Sequence, residues 1–340
     1  MSLLRVDRSW REEVRNRVPV RYLPQTTPDH LRGTWRDAKP ARIDRALKAA
    51  MRRPTHGWLV AASSSDLRGD RTLIRTIAGR EVVLWRDVDG TVLAGPGACP
   101  HLGALLHDCD VVSGTVLCRW HGMPLGRDTQ PPWARFAAYD DGVLVWVRLG
   151  QVEDGVAPTD RPVVPTRPEP EEALSSVISL VTTCEPRDII ANRLDPWHGA
   201  WLHPYAFSDL SVDDDASTED LLVLDVAYRL GHTFAVPVRA EFTCPDSHTI
   251  IMTITEGEGV GSVVETHATP LTAPGVHPAR TVMTEAVIAT SDRMGFRVAR
   301  GLAPLVRIGM RASAIQLWVD DLEYATRIYE MRRRPNDDDR

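Results

Sequence analysis

Several things are scarce in this sequence, and each scarcity narrows what the protein does. No apolar run approaches the length of a membrane-spanning helix, so none is expected. Behind Met1 come Arg5, Asp7, Arg8 and Arg11 with no apolar signal core, and the compartment expected is the cytoplasm. Cysteines are few and odd in number: Cys99, Cys109, Cys118, Cys184 and Cys244. That does not look like a secreted disulfide framework; it predicts reduced thiols, some buried and some free to bind metal. There is no excess of positive charge. The 40 basic and 46 acidic residues leave a net charge of −6, a poor balance for gripping nucleic acid. Lysine is nearly missing, with only Lys39 and Lys48, but arginine replaces it and the bias carries no functional weight. The chain has no internal repeat and no G-x-G-x-x-G dinucleotide fingerprint.

What is present reads as a soluble globular chain of 340 residues, 43% hydrophobic and 25% charged, long enough for about two domains. Residues 1–54 are Arg-rich and interrupted by prolines, with one short helix over Ile43–Met51; they form a lead-in rather than a domain. Residues 55–150 hold short β-branched runs (Trp58–Ala61, Thr72–Ile77, Val82–Trp85, Val92–Ala94, Val111–Cys118 and Val143–Arg148). Turns such as Asp89-Gly90 and Asp141-Gly142 separate them, so a small all-β domain is expected. Residues 151–170 carry Pro158, Pro162, Pro165, Pro168 and Pro170, the composition of a linker. Residues 171–334 place strand patterns between helical ones. Pro186–Leu202 and Phe296–Met331 read as helical, and 209–220 reads as an acidic surface loop. This is an α+β domain with an antiparallel sheet. Residues 335–340 are a polar tail.

Two clusters carry the chemistry. Cys99-Pro100-His101-Leu102-Gly103 is followed, after a gap, by Cys118-Arg119-Trp120-His121-Gly122. Each half brings one thiolate and one imidazole to a loop. Zinc is one candidate, since two Cys and two His close a tetrahedral site. Zinc fingers usually keep cysteines together and histidines together, whereas here each half is mixed. That is the pattern of a [2Fe–2S] centre in which cysteines hold one iron and histidines the other. On these residues, the region from about 56 to 148 resembles the Rieske family. Ala104 and Trp120 stand where electron-transport-chain members carry an extra cysteine pair, so the likeness is to the oxygenase and ferredoxin branch. Cys109 lies off the ligand positions and reads as a buried apolar residue.

Downstream runs Asn192-Arg193-Leu194-Asp195-Pro196-Trp197-His198-Gly199-Ala200-Trp201-Leu202-His203. His198 and His203 are imperfectly spaced for one helix face, and a distortion near Gly199 would bring both rings inward. Two imidazoles and a carboxylate form the facial triad of non-haem Fe(II) sites; alone, the pair reads equally as capping or core histidines. With the upstream cluster, the chain from His56 onward resembles the Rieske non-haem iron oxygenases, whose catalytic domain carries D-x-x-H-x-x-x-x-H. Asp195, His198 and His203 match that motif residue by residue. The resemblance implies that Cys99, His101, Cys118 and His121 hold the cluster and that His198 and His203 ligate mononuclear Fe(II). It implies a third ligand on a C-terminal helix: Asp321, with Asp320 in reserve. It implies that Asp195 bridges His198 to His121 of a neighbouring subunit, with Asn192 nearby; an N-cap role suits Asp195 as well.

The fold so implied is an all-β Rieske domain followed by a helix-grip (START-like) catalytic domain. The implied function is a terminal oxygenase, a monooxygenase of the single-subunit type that includes ketosteroid hydroxylases. O2 is its co-substrate and an apolar small molecule its substrate. NAD(P)H acts only through a separate reductase, with or without a ferredoxin, and the assembly is a homotrimer. Hydroxylation is the expected outcome; desaturation, demethylation and cyclisation use the same centre. The competing reading is a Rieske electron-transfer or binding protein with a non-catalytic C-terminal domain. His267 is expected to be structural, with a pocket-facing position as the alternative.

Overall fold

The structure is a computed structural model, and it describes residues 21–22, 33–129, 133–149, 156–230 and 234–334. Most of the lead-in before residue 33, the start of the linker and the 335–340 tail lie outside the described residues. Among the described residues no helix is long and apolar enough to cross a membrane.

Strand β1 (Arg21–Tyr22) and helix α1 (Pro40–Met51) precede three small antiparallel sheets. These are β2 (Trp58–Ser63) with β10 (Leu144–Arg148) and β9 (Ala137–Asp140); β3 (Leu73–Ile77), β4 (Arg80–Arg86) and β5 (Val92–Pro96); and β6 (Asp110–Val112), β7 (Thr115–Leu117) and β8 (Pro124–Leu125). The expected Val111–Cys118 strand is thus a hairpin, β6–β7, turned at Ser113-Gly114. Val82, Leu84, Ala94, Val145 and Val147 fill the core between the first two sheets. A second core, built on Trp85, Leu106, Val116, Leu125 and Trp133, lies beneath the cysteine loops.

The second half is one large antiparallel sheet. Its order is β11 (Ala173–Thr182), β17 (Thr281–Thr290), β16 (Val263–Pro270), β15 (Thr249–Gly257), β14 (Phe234–Asp246), β13 (Leu221–Leu230) and β12 (Phe207–Val212), with β1 also paired to β14. Strand β12 takes the start of the expected acidic loop, because Phe207, Leu210 and Val212 pack into the sheet core. Helix α1 joins that core through Leu47 and Ala50.

The helical pattern over Pro186–Leu202 is two helices, α2 (Pro186–Arg193) and α3 (Trp197–Leu202). They part at Leu194-Asp195-Pro196, where proline lacks an N–H and disfavours helix in the residue before it. The C-terminal stretch is likewise divided, into α4 (Met294–Gly301) and α5 (Ala303–Arg333). The buried face of α5 is Ala314, Trp318, Asp321, Leu322, Ala325 and Tyr329, a 3.6-residue stripe that packs on Ile178, Met283 and Ile189. Asp321 therefore sits on the inward face, next to α2 and α3. The architecture is α+β, an all-β region followed by a sheet gripping a long helix, as the motifs imply.

The two halves touch closely. Trp58, Val60, Leu144 and Trp146 pack against Ala286 and Ile288 across the boundary. Arg167 of the linker pairs with Asp141 at 2.8 Å on one side and with Glu265 at 2.5 Å on the other. His267 belongs to this boundary: it bonds Thr249 at 3.1 Å and Glu265 at 3.2 Å and stands edge-on to Trp146.

Candidate metal centres

The two cysteine loops share one backbone design despite different spacing. In the first, the Cys99 N–H donates to the carbonyl of Ala104 (2.8 Å), and Gly103 N–H donates back to Cys99 (2.9 Å). In the second, Cys118 N–H donates to Met123 (3.0 Å), and Gly122 N–H to Cys118 (2.8 Å). Both closures need a positive φ, 76° at Gly103 and 69° at Gly122, where a side chain is strained. Burial works against both thiolates; the N–H groups of His101 and Leu102 oppose it at Cys99, and those of Trp120 and His121 at Cys118. The cysteines are 3% and 2% exposed, while His101 and His121 lie at the surface with ring centroids 4.9 Å apart. A buried sulfur pair under an exposed imidazole pair fits a two-iron cluster with one pair on each iron. A single closed zinc site is less apt: among the described residues these four do not form a tight one-ion set. Cys109 is buried beside the loops, as its position implies.

The second centre forms where α2, α3 and α5 meet. His198 Nε2 lies 3.1 Å and His203 Nε2 2.8 Å from the same oxygen, Asp321 Oδ1. The three ligand atoms fall within 4.8 Å of one another. The distortion that turns both rings inward is at His203 rather than Gly199. His203 leaves the helix at φ −116° and ψ 56°, which swings its ring under His198. Burial opposes the charged form of His198, but Asp195 and Asp321 outweigh it and hold its pKa up at about 9. Burial also opposes the Asp321 carboxylate, yet the two imidazoles keep it well below the usual range. The chemistry of the set, two imidazoles and one carboxylate with room on the remaining side, fits non-haem iron.

The outer contacts set the orientation of these groups. Asn192, fully buried, donates to Asp321 Oδ1 at 3.3 Å. His203 Nδ1 meets the Tyr205 hydroxyl at 3.2 Å, and Tyr205 donates to Asp320 at 2.9 Å. Asp320 thus lies on the far side of His203, away from the convergence point. Asp195 accepts from Trp197 N–H at 3.2 Å, opening α3, and from the Tyr324 hydroxyl at 3.2 Å. Its distance to His198 Nδ1 is 3.7 Å, longer than a hydrogen bond, and that buried nitrogen has no partner. Among the described residues nothing joins Asp195 to His101 or His121 within the chain. Sequence reasoning missed Tyr205 and Tyr324; the signals were Tyr205 two residues after a histidine and Tyr324 one turn beyond Asp321.

A cavity of about 70 Å³ opens beside the triad, walled by Phe207, Leu210, Val226, Phe242 and Met252, with Arg193 and Glu285 among its few polar groups. That is room for roughly two or three waters. A larger hollow, about 1390 Å³, lies around Gly257–Gly261 and α4, but no histidine or cysteine lines it. Chemistry rather than volume marks the site.

The fold and the two centres define a two-domain iron–sulfur protein with a second metal site. Residues 57–134 match the Rieske [2Fe-2S] domain, and residues 153–336 match a domain of unknown function, DUF5914. The chain is 26% identical to the toluene-4-sulfonate monooxygenase iron–sulfur subunit of Comamonas testosteroni, over 49% of this chain and 51% of that protein. It is 25% identical to the vanillate O-demethylase oxygenase subunit of a Pseudomonas species, over 47% and 48%. The chain spans about half the length or less of the curated relatives it matches. Among solved structures, dicamba monooxygenase superposes with a TM-score of 0.58 at 17% identity, covering 83% of this chain and 91% of that one. The terminal oxygenase of carbazole 1,9a-dioxygenase from Novosphingobium gives 0.53 at 13%, covering 86% and 87%. These likenesses are of fold. The chain belongs to the DUF5914 family, whose model covers its second half, and carries a Rieske [2Fe-2S] domain in its first.

Proposed function

We propose that this chain is a terminal oxygenase component, a monooxygenase that oxidises an apolar small molecule. The observation that carries this reading is the convergence of His198, His203 and Asp321 beside an apolar cavity, in a chain that also holds a Rieske domain. Cys99, Cys118, His101 and His121 hold the cluster. His198, His203 and Asp321 hold Fe(II), which when bound supplies O2 activation. The protein positions and excludes water. Asn192 fixes the Asp321 carboxylate. Tyr205, backed by Asp320, fixes the ring of His203, and Tyr324 fixes Asp195. The Phe207, Leu210 and Phe242 wall limits the water beside the triad to the few molecules the cavity admits.

Electrons come from NAD(P)H through a separate reductase, with or without a ferredoxin. The route inside the oxygenase runs between copies of a homotrimer, from His121 of one to Asp195 and His198 of the next. Exposed apolar side chains near both centres support it. Leu102 (63% exposed) and Trp120 (59%) surround the cluster histidines, and Trp201 (52%) flanks the triad on α3.

The test is iron per chain after anaerobic purification and Fe(II) add-back, read with the EPR spectrum of the reduced protein. About three irons with a Rieske signal is the expected result. A Rieske signal with about two irons overturns it in favour of an electron-transfer protein. A colourless, iron-free protein that binds zinc overturns both readings.

A further inference from the structure

Arg193 is an unusual wall for an apolar cavity. It is the last residue of α2, and its guanidinium carbon lies 5.5 Å from the Phe242 ring centroid and 5.8 Å from that of Trp318. Those two faces cradle the cation without accepting a conventional hydrogen bond. Its Nε is buried and has no hydrogen-bond partner. Among the described residues no carboxylate comes within ion-pair distance of it. The acid that would be its natural partner, Glu285, lines the same cavity but is engaged by Trp318 Nε1 at 2.7 Å. Burial pushes the Glu285 carboxyl up, the Arg193 charge and the Trp318 N–H oppose that, and the two groups face the same cavity without a direct ion pair. The side chain is half-buried, its Nε donor is buried and unpaired, and the aromatic faces answer its charge without accepting a hydrogen bond from it. The donor fork is preorganised, faces the space beside the triad, and suits a planar two-oxygen anion.

We infer that Arg193 is the anchor for a carboxylate on the substrate, so that the molecule handled here is an apolar acid rather than a neutral hydrocarbon. The inference deepens the proposed function and rests on it for the chemistry that follows binding. The recognition itself needs no iron. The carboxylate binds the guanidinium through paired N–H···O bonds, and the apolar body lies against Phe207, Leu210 and Met252. The carbon to be oxidised then lies at a set reach from Arg193, toward His198 and His203.

The experiment measures calorimetric binding to full-length protein with its cluster intact and its mononuclear metal removed. The probes are benzoate, phenylacetate and 4-phenylbutyrate, each against its amide. The wild type is expected to bind at least one carboxylate about tenfold or more tighter than its amide. Arg193→Met is expected to erase that preference and leave amide affinity unchanged; Arg193→Lys is expected to retain part of it. His198 is the same in all three proteins, so its charge cancels from the comparison. Should the Met variant fail to fold by circular dichroism, the Lys variant carries the comparison. Equal affinity for acid and amide, no binding by any acid, or a preference that survives the loss of the guanidinium overturns the inference. A preference with only about two irons per chain would leave Arg193 standing and sink the oxygenase reading. Three irons with no preference would do the reverse.

Discussion

At the scale of single residues, two neighbouring carboxylates do different work. Asp321 points both imidazole Nε2 atoms at one oxygen, whereas Asp320 meets Tyr205 on the opposite side of His203. Asp321→Ala is therefore expected to abolish turnover and mononuclear iron while leaving the Rieske EPR signal intact. Asp320→Ala and Tyr205→Phe remove only support for the His203 ring, so both should retain iron with affinity lowered about 10- to 100-fold. Competition with a chelator on the reduced, cluster-loaded proteins measures this. If the Asp320 variant loses iron outright and the Asp321 variant keeps it, the assignment is reversed. The ligand types themselves were legible in the sequence, because C-x-H, C-x-x-H and D-x-x-H-x-x-x-x-H are local patterns. The choice of Asp321 over Asp320 came from resemblance. Its physical cause, the α5 stripe through Trp318 and Leu322, is visible only once the helix has a face to pack. Arg193 and Glu285 were silent as site formers, since their meaning lies in partners found on distant strands and helices, and Asn192, expected near the Asp195 bridge, bonds Asp321.

At the scale of elements, the triad depends on how α5 is held against α2. Arg332, near the end of α5, pairs with both Asp188 and Glu185, the latter at 2.7 Å. Asp188 in turn accepts the Glu185 N–H at 3.0 Å and begins α2. One guanidinium thus clamps the helix that carries Asp321 to the helix that leads to His198. Arg332→Gln leaves Asp188, 1% exposed, without its partner. The expected cost is about 2–3 kcal/mol, below that of a fully buried pair because Arg332 keeps nearly a third of its surface in solvent. Urea unfolding measures the loss, and iron affinity should fall with it while the cluster signal does not. An unchanged midpoint and unchanged iron affinity would show that the helices are aligned by the Trp318 core alone. Strands with β-branched alternation were readable within a few residues. The two helix breaks were less so: Pro186–Leu202 was read as one helical stretch, with only the N-cap reading of Asp195 pointing to the break at Pro196. The histidine spacing looks poor on a continuous helix and works because His203 lies just past the C-terminal end of α3.

At the scale of the molecule, the cluster half and the iron half are fastened by a buried charge clasp. Asp141 belongs to the first half, Glu265 to the second and Arg167 to the linker between them. Trp146 Nε1 donates to Asp141 at 2.7 Å, and His267 supports Glu265. Burial alone would raise both carboxyl pKa values, but Arg167 outweighs it and holds both below the ordinary range. A carboxyl whose folded pKa is depressed contributes stability that is fully present above its unfolded value, about 4. That contribution is lost as pH falls through the folded values, so the wild-type clasp is intact throughout the neutral range. Arg167→Met inverts the sign. The two buried carboxyls lose their cation, their pKa values rise above the unfolded ones, and the variant gains relative stability as pH falls and they protonate. At pH 7.5 the expected deficit is about 3 kcal/mol, at the low end for a broken buried pair because Trp146 and His267 still hold the acids. By pH 5 the gap should narrow. Urea titrations of both proteins at the two pH values, followed by visible absorbance of the cluster and by far-ultraviolet circular dichroism, measure it. A deficit that stays constant with pH would mean that Arg167 acts through packing rather than charge. A deficit seen by circular dichroism alone would mean that the two halves are not coupled through it.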